Sequence, residues 1–148
     1  MEAKADRRVG TMIQMELREI HISSATPYHL VVLEEKEGEG RCFPIYIGEG
    51  EAKAADNAVF QRKAPRPLTH DLIMNVIEGL NCELEGIMVD SLDSDTFHGK
   101  LLIRTAEGKH IKIDSRPSDA IVLATKAAVP IFVAEEVLDK MGREPDEE

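Results

Sequence analysis

The sequence predicts an α+β domain in which a mixed, largely antiparallel sheet built from hairpins carries about four helices. Three observations predict it. Several short stretches alternate apolar and polar residues between Gly- and Asp-rich turns, as hairpin strands do. Other stretches space apolar residues three and four apart, as helices with one buried face do. At 148 residues and 43% hydrophobic content, the chain suits one domain with its own core and falls short of two.

The elements follow in order. "MIQMELREIHI" (Met12–Ile22) alternates with Ile13, Met15 and Leu17 on one face, then changes phase at Ile20 and Ile22, so a bulge near Arg18–Glu19 is expected. "YHLVVLEE" and "RCFPIYIG" read as a hairpin closed by "KEGEG", with Pro44 marking an edge strand or a bulge. Glu51 to Arg62 reads as a helix with a small-residue stripe of Ala52, Ala55, Ala58 and Val59, stopped by "KAPRP". A second helix is expected from an N-cap at Thr69, with Leu72, Ile73, Val76, Ile77 and Leu80 as its buried face. A meander follows: a strand around Ile87 and Val89, a hairpin turn in "DSLDSD", a strand over Phe97–Thr105, the turn "AEGK", and His110–Asp114. Phe97, Leu101, Ile103, Ile111 and Ile113 share its inward parity. A helix from Pro117 to Ala128, the strand "PIFVA" and a last helix ending at Gly142 complete the domain. Residues 1–10 and the acidic residues 143–148 read as disordered tails around a single domain of residues 11–142.

The net charge of −10 argues against a polyanion partner unless positive charge is gathered on one face. The apolar runs are too short to span a membrane, and residues 1–10 have no secretory h-region. Cys42 and Cys82 lack C-x-x-C spacing, so buried reduced thiols and a cytoplasmic location are expected. "GEGEAKAAD" matches neither a dinucleotide fingerprint nor a P-loop, and "DSLDSD" lacks the glycine and terminal glutamate of a calcium loop. The serines and histidines form no nucleophile elbow or zinc spacing.

Two stretches hold the residues suited to chemistry. In "DSRPSDA", Asp119 falls third in a helix begun by Pro117, where it can serve as a helix-end acid. That leaves Asp114 and Arg116 unexplained, and a guanidinium fork suits carboxylate or phosphate. In "RPLTHDL", Thr69 and Asp71 suit a helix start, while His70 suits a proton carrier or a metal ligand. Both readings, two capped helices or two halves of one acidic site, stay open. A third pattern is the outward parity of the meander: His98, Lys100, Arg104, His110 and Lys112 gather on one sheet face, as a phosphate-binding surface or as protection against edge pairing.

Together, "FPIYIGEGEAKA" (Phe43–Ala54), "RPLTHDL" (Arg66–Leu72) and "IDSRPSDAIVLATKAAVPIFVAEEVL" (Ile113–Leu138) make this chain resemble the bifunctional nuclease domain family over about Met12 to Gly142. Ser115 and Lys126 differ mildly, standing where the family usually has a small residue such as alanine and an arginine. The resemblance implies an α+β domain, often oligomeric, that hydrolyses phosphodiester bonds of RNA and DNA. Within the shared motifs, Asp71, Asp114 and Asp119 are the acids suited to hold Mg2+ or Mn2+, with Glu51 further out. His70 is suited to activate water, and Arg66 and Arg116 to clamp phosphate, with Lys100, Arg104 and Lys112 along the strand of substrate. The alternative is a non-catalytic oligomeric module, for which the alanine stripe suits a homo-oligomer, a dimer first.

Overall fold

In a computed structural model, residues 11–94 and 96–142 are described. The expected tails, residues 1–10 and 143–148, lie outside the described residues. Seven strands form one sheet: β1 (Met12–His21), β2 (His29–Glu35), β3 (Cys42–Ile47), β4 (Glu83–Asp93), β5 (Thr96–Arg104), β6 (His110–Ser115) and β7 (Ile131–Ala134). Their spatial order is β3-β2-β1-β7-β4-β5-β6. All pairs are antiparallel except β4 with β7. Among the described residues four helices accompany the sheet: α1 (Glu49–Val59), α2 (Thr69–Gly79), α3 (Pro117–Ala127) and α4 (Glu135–Gly142). A parallel pair needs a crossover. Here α3 provides it, lying over β4 and β5 before the chain returns as β7.

The register slips between Leu17 and Glu19, where the change of apolar phase required a bulge. Pro44 sits on edge strand β3, where the missing N–H costs no ladder bond. Gly38 and Gly40 adopt φ of 100° and 76° in the β2–β3 turn, a conformation that excludes most side chains.

The sheet is strongly curled. Phe43 on β3 and Phe97 on β5 meet edge to face with ring centroids 5.6 Å apart. In a flat sheet the five strand spacings between them would amount to about 24 Å. The concave side holds the core, where Met15, Leu33, Ile87 and Val133 meet Ile121 and Leu123 of α3 and Val137 of α4, each at most 2% exposed.

Five expectations are corrected. Helix α1 starts two residues early, at Glu49, and ends at Val59, which is 42% exposed and outside the stripe that buries Ala52, Ala55 and Ala58. Leu68, not Thr69, occupies the N-cap of α2, and the Asp71 carboxylate accepts the Leu68 N–H at 3.0 Å. Helix α2 packs only by Ile73, Met74 and Ile77, because it lies at the margin of α3 and β4; Leu72, Val76 and Leu80 face outward. Ile111 and Ile113 are exposed because β6 is the second edge and α3 reaches only as far as β5. Neither thiol is fully buried: Cys42 is exposed on β3, in the parity opposite Phe43 and Ile45, and Cys82 is half-buried, both free.

Candidate active site at three helix starts

The site begins with a glycine in a strand. A Cβ on Gly99 of β5 would meet the carbonyls of Met88 and Ser115 at 3.2 Å and the Pro117 Cα at 3.4 Å. Its absence lets the start of α3 rest on the sheet. Arg116 occupies the N-cap position, and Pro117 supplies a pre-set φ at the first turn. The alanine stripe lets α1 pack closely beside α3, which brings Glu51 from the first turn of α1 to Arg116. α2 approaches from the other side and delivers His70 from its own first turn.

These three helix starts share a chain of charges. Arg116 Nη2 donates to Glu51 Oε2 at 2.6 Å, and Nε donates to Asp119 Oδ2 at 2.9 Å. The other Asp119 oxygen holds His70 Nε2 at 2.9 Å. His70 keeps only 13% of its side chain exposed, whereas Arg116 keeps 65%. Among the described residues, His70 Nδ1 has no hydrogen-bond partner. Arg116 holds the Glu51 carboxyl below its ordinary range, helped by a backbone hydrogen bond. Glu51, then Asp119, raise the guanidinium in turn, so Arg116 stays charged. Asp119 is thus no simple helix-end acid, because its two oxygens are taken by two side chains.

The remaining candidates fall elsewhere. Asp71, beside His70 in sequence, turns to Lys126 of α3 and caps Leu68. Lys126, then the Leu68 N–H, lower its carboxyl. Asp114 is 86% exposed on β6, 4.0 Å from Lys100, which itself bonds Asp90 at 3.1 Å. Among the described residues no hydrogen bond or ion pair links Asp71 to Asp114, and the structure brings His70, Arg116, Asp119 and Glu51 together instead. Arg66 is exposed in the loop ahead of α2.

The basic sheet face is largely neutralised. Arg104 bonds Glu83 and Glu85, and His110 bonds Glu85 at 3.0 Å, leaving Lys112 exposed. Register slips in β4 between Leu84 and Gly86, and between Val89 and Ser91, leave Glu85 and Asp90 unmatched in the ladder. Simple alternation could not place those acids beside the cations. Among the described residues, no three His, Cys, Asp or Glu side chains are grouped to hold a metal ion. A divalent ion at Glu51 and Asp119 would have to compete with Arg116, so these residues as they stand do not fit one.

Arg116 also lines a cleft of about 480 Å3 between β3, the start of β5 and the start of α3. Sequence reasoning missed this cleft, because it exists only where the curl of the sheet brings β3 to β5.

The family model of the bifunctional nuclease domain matches residues 31–146, which includes every residue of the charge chain. The chain belongs to the bifunctional nuclease domain family. An uncharacterized protein of Mycobacterium tuberculosis is 37% identical over 128 residues, which are 86% of this chain and 76% of that protein. Bifunctional nuclease 1 of Oryza sativa subsp. japonica is 24% identical over 123 residues, 82% of this chain but 37% of the plant protein. Bifunctional nuclease 2 of Arabidopsis thaliana is 24% identical over 137 residues, 84% of this chain and 42% of that protein. This bifunctional nuclease domain therefore corresponds to less than half of each of those plant proteins. Among its described residues no helix is long and apolar enough to cross a membrane.

Proposed function

We propose that this protein hydrolyses phosphodiester bonds of RNA and DNA at the Glu51–Arg116–Asp119–His70 site. The observation that carries the reading is the convergence of four ionisable side chains from three helix starts beside an open cleft. Their chemistry suits the reaction. Asp119 fixes the His70 ring through Nε2, leaving Nδ1 to take a proton from the attacking water. Oxygen attacks phosphorus, the bond to the leaving oxygen breaks, and that oxygen takes a proton from solvent. Arg116 is exposed enough to turn its fork toward the phosphate and offset the charge that develops there. Glu51 holds the guanidinium in place between turnovers. A Mg2+ or Mn2+ ion enters this scheme only as a competitor of Arg116 for the two carboxylates, and no step passes through it. Family membership supports the reading from outside the geometry.

The test is cleavage of labelled RNA and DNA by wild type, His70→Asn and Asp119→Asn, each purified identically, with EDTA and with added Mg2+ or Mn2+. Loss of cleavage in both folded variants, with EDTA harmless, is the expected result. Cleavage that persists in both variants removes the site. Cleavage abolished by EDTA and restored by the ion replaces the metal-free scheme with the metal-dependent one.

A second reading draws on a specific observation. Leu68, Leu72, Val76 and Leu80 form a stripe along α2 with exposures of 55%, 56%, 49% and 66%. Such a stripe suits a protein contact, a second copy included. Sedimentation or light scattering of wild type and Leu72→Glu reads it directly: a dimer mass that falls to one chain supports it, and a monomer throughout ends it.

A further inference from the structure

The cleft beside Arg116 has a lining unlike that of a phosphate groove. Ile45 and Ile47 of β3, Phe97 of β5 and Pro117 of α3 supply apolar walls, while Thr96 and Ser118 bring hydroxyls. Its volume of about 480 Å3 falls in the range of about 300–1,000 Å3 usual for small-ligand pockets. Among the described residues of the lining, Arg116 alone is cationic, and it already belongs to the charge chain. The surroundings do not attract a nucleic-acid backbone: net charge is −10, and Lys100, Arg104 and His110 are each tied to an acid. Affinity for a nucleic acid must therefore come from something other than its phosphates. An aromatic, partly polar, flat group fits these walls.

We propose that this cleft is a nucleobase pocket, so that the enzyme selects single-stranded RNA or DNA, holding one unstacked base in the cleft and the adjoining phosphate at Arg116. The proposal rests on the phosphodiesterase reading and deepens it by naming the substrate class. In a duplex, neighbouring bases cover both faces of the target base and its pairing edge is taken, so it has to be extruded before it can enter. A single strand presents unstacked bases directly. With one or two phosphates engaged, log Kd changes with log salt by about 0.7 for each phosphate neutralised on a single strand, far less than for a backbone-tracking groove.

The test uses full-length His70→Asn protein, which keeps the cleft, with three fluorescent probes read by anisotropy: a single-stranded oligonucleotide, its duplex, and a strand of abasic sites. The single strand is expected to bind about 100-fold tighter than the duplex, from the unstacking that a duplex requires, and about 10- to 100-fold tighter than the abasic strand, from the base contacts that strand lacks. A salt slope of about 0.7 to 1.4 is expected with it. Thr96→Trp, which puts an indole into the lining of the cleft, is expected to remove that preference, and Ser118→Leu, also in the lining, does the same should the first variant fail to fold. Neither residue belongs to the charge chain. Equal binding of the abasic strand or the duplex, a steep salt slope, or no binding at all overturns the proposal. Hydrolysis of a base-free diester, methyl p-nitrophenyl phosphate, by protein with His70 intact keeps the two readings apart. Hydrolysis without base preference leaves the enzyme and discards the pocket. Base preference without hydrolysis keeps the pocket and discards the enzyme.

Discussion

Replacing Arg116 with alanine removes the one cation shared by Glu51 and Asp119. A hydrogen bond to a charged group contributes roughly 1.5–3 kcal/mol when screened from water. Glu51 and Asp119 are 19% and 27% exposed, but Arg116 is 65% exposed, so water replaces much of what is lost. The expected cost is therefore about 1–2 kcal/mol in all, which includes the repulsion between the two carboxylates left facing each other. In urea that moves the unfolding midpoint down by roughly 0.5–1 M. The pH dependence has a definite sign. Arg116 depresses Glu51 below its ordinary value of 4.5, so this part of the stability is fully present above that value and fades as pH falls through the folded-state value. The gap between wild type and Arg116→Ala is thus widest near neutrality and narrows below pH 4.5. Cleavage is expected to fall about 100- to 1,000-fold, as when a group that stabilises the developing charge is lost. Equal midpoints at neutral pH and equal turnover in the two proteins would refute the reasoning.

Other outcomes are checked by unfolding and by cleavage. Asp71→Asn weakens the Lys126 pair and the cap at Leu68, costing about 1 kcal/mol in urea while cleavage continues; a folded variant without cleavage returns Asp71 to the site. Gly99→Ala drives a methyl group against two carbonyls and Pro117, so calorimetry should show a loss of about 1–3 kcal/mol together with reduced cleavage. Ile103→Ala, in the core at 3% exposure, should cost about 2–5 kcal/mol, whereas Ile113→Ala, 44% exposed at the same parity, should cost far less. Comparable losses in the two would mean that β6 is covered in solution.

Much of the fold is legible in local pattern. The bulge in β1, the edge position of Pro44, the meander and the proline-started α3 all follow from chemistry within a few residues, which a chain states directly. The shared motifs likewise singled out His70, Arg116 and Asp119, with Glu51 as an outlying acid. Pairings were less legible. Asp71 and Asp119 sit in comparable first turns, yet one holds Lys126 and the other His70 and Arg116, because partners are chosen by how helices pack. Alternation also assigned Ile111 and Ile113 to the core, because a strand pattern records parity and not whether a helix lies above it.

By itself, then, the sequence determined the elements, their order and most of the side chains that converge, since local spacing and backbone preference are written along the chain. Only the tertiary structure decided which charges meet, how the bulges of β4 set acids among the cations of the sheet face, and that β3 curls round to β5 to open a cleft beside Arg116. Those are long-range distances, set by the curl of the sheet and the close packing of α1 against α3.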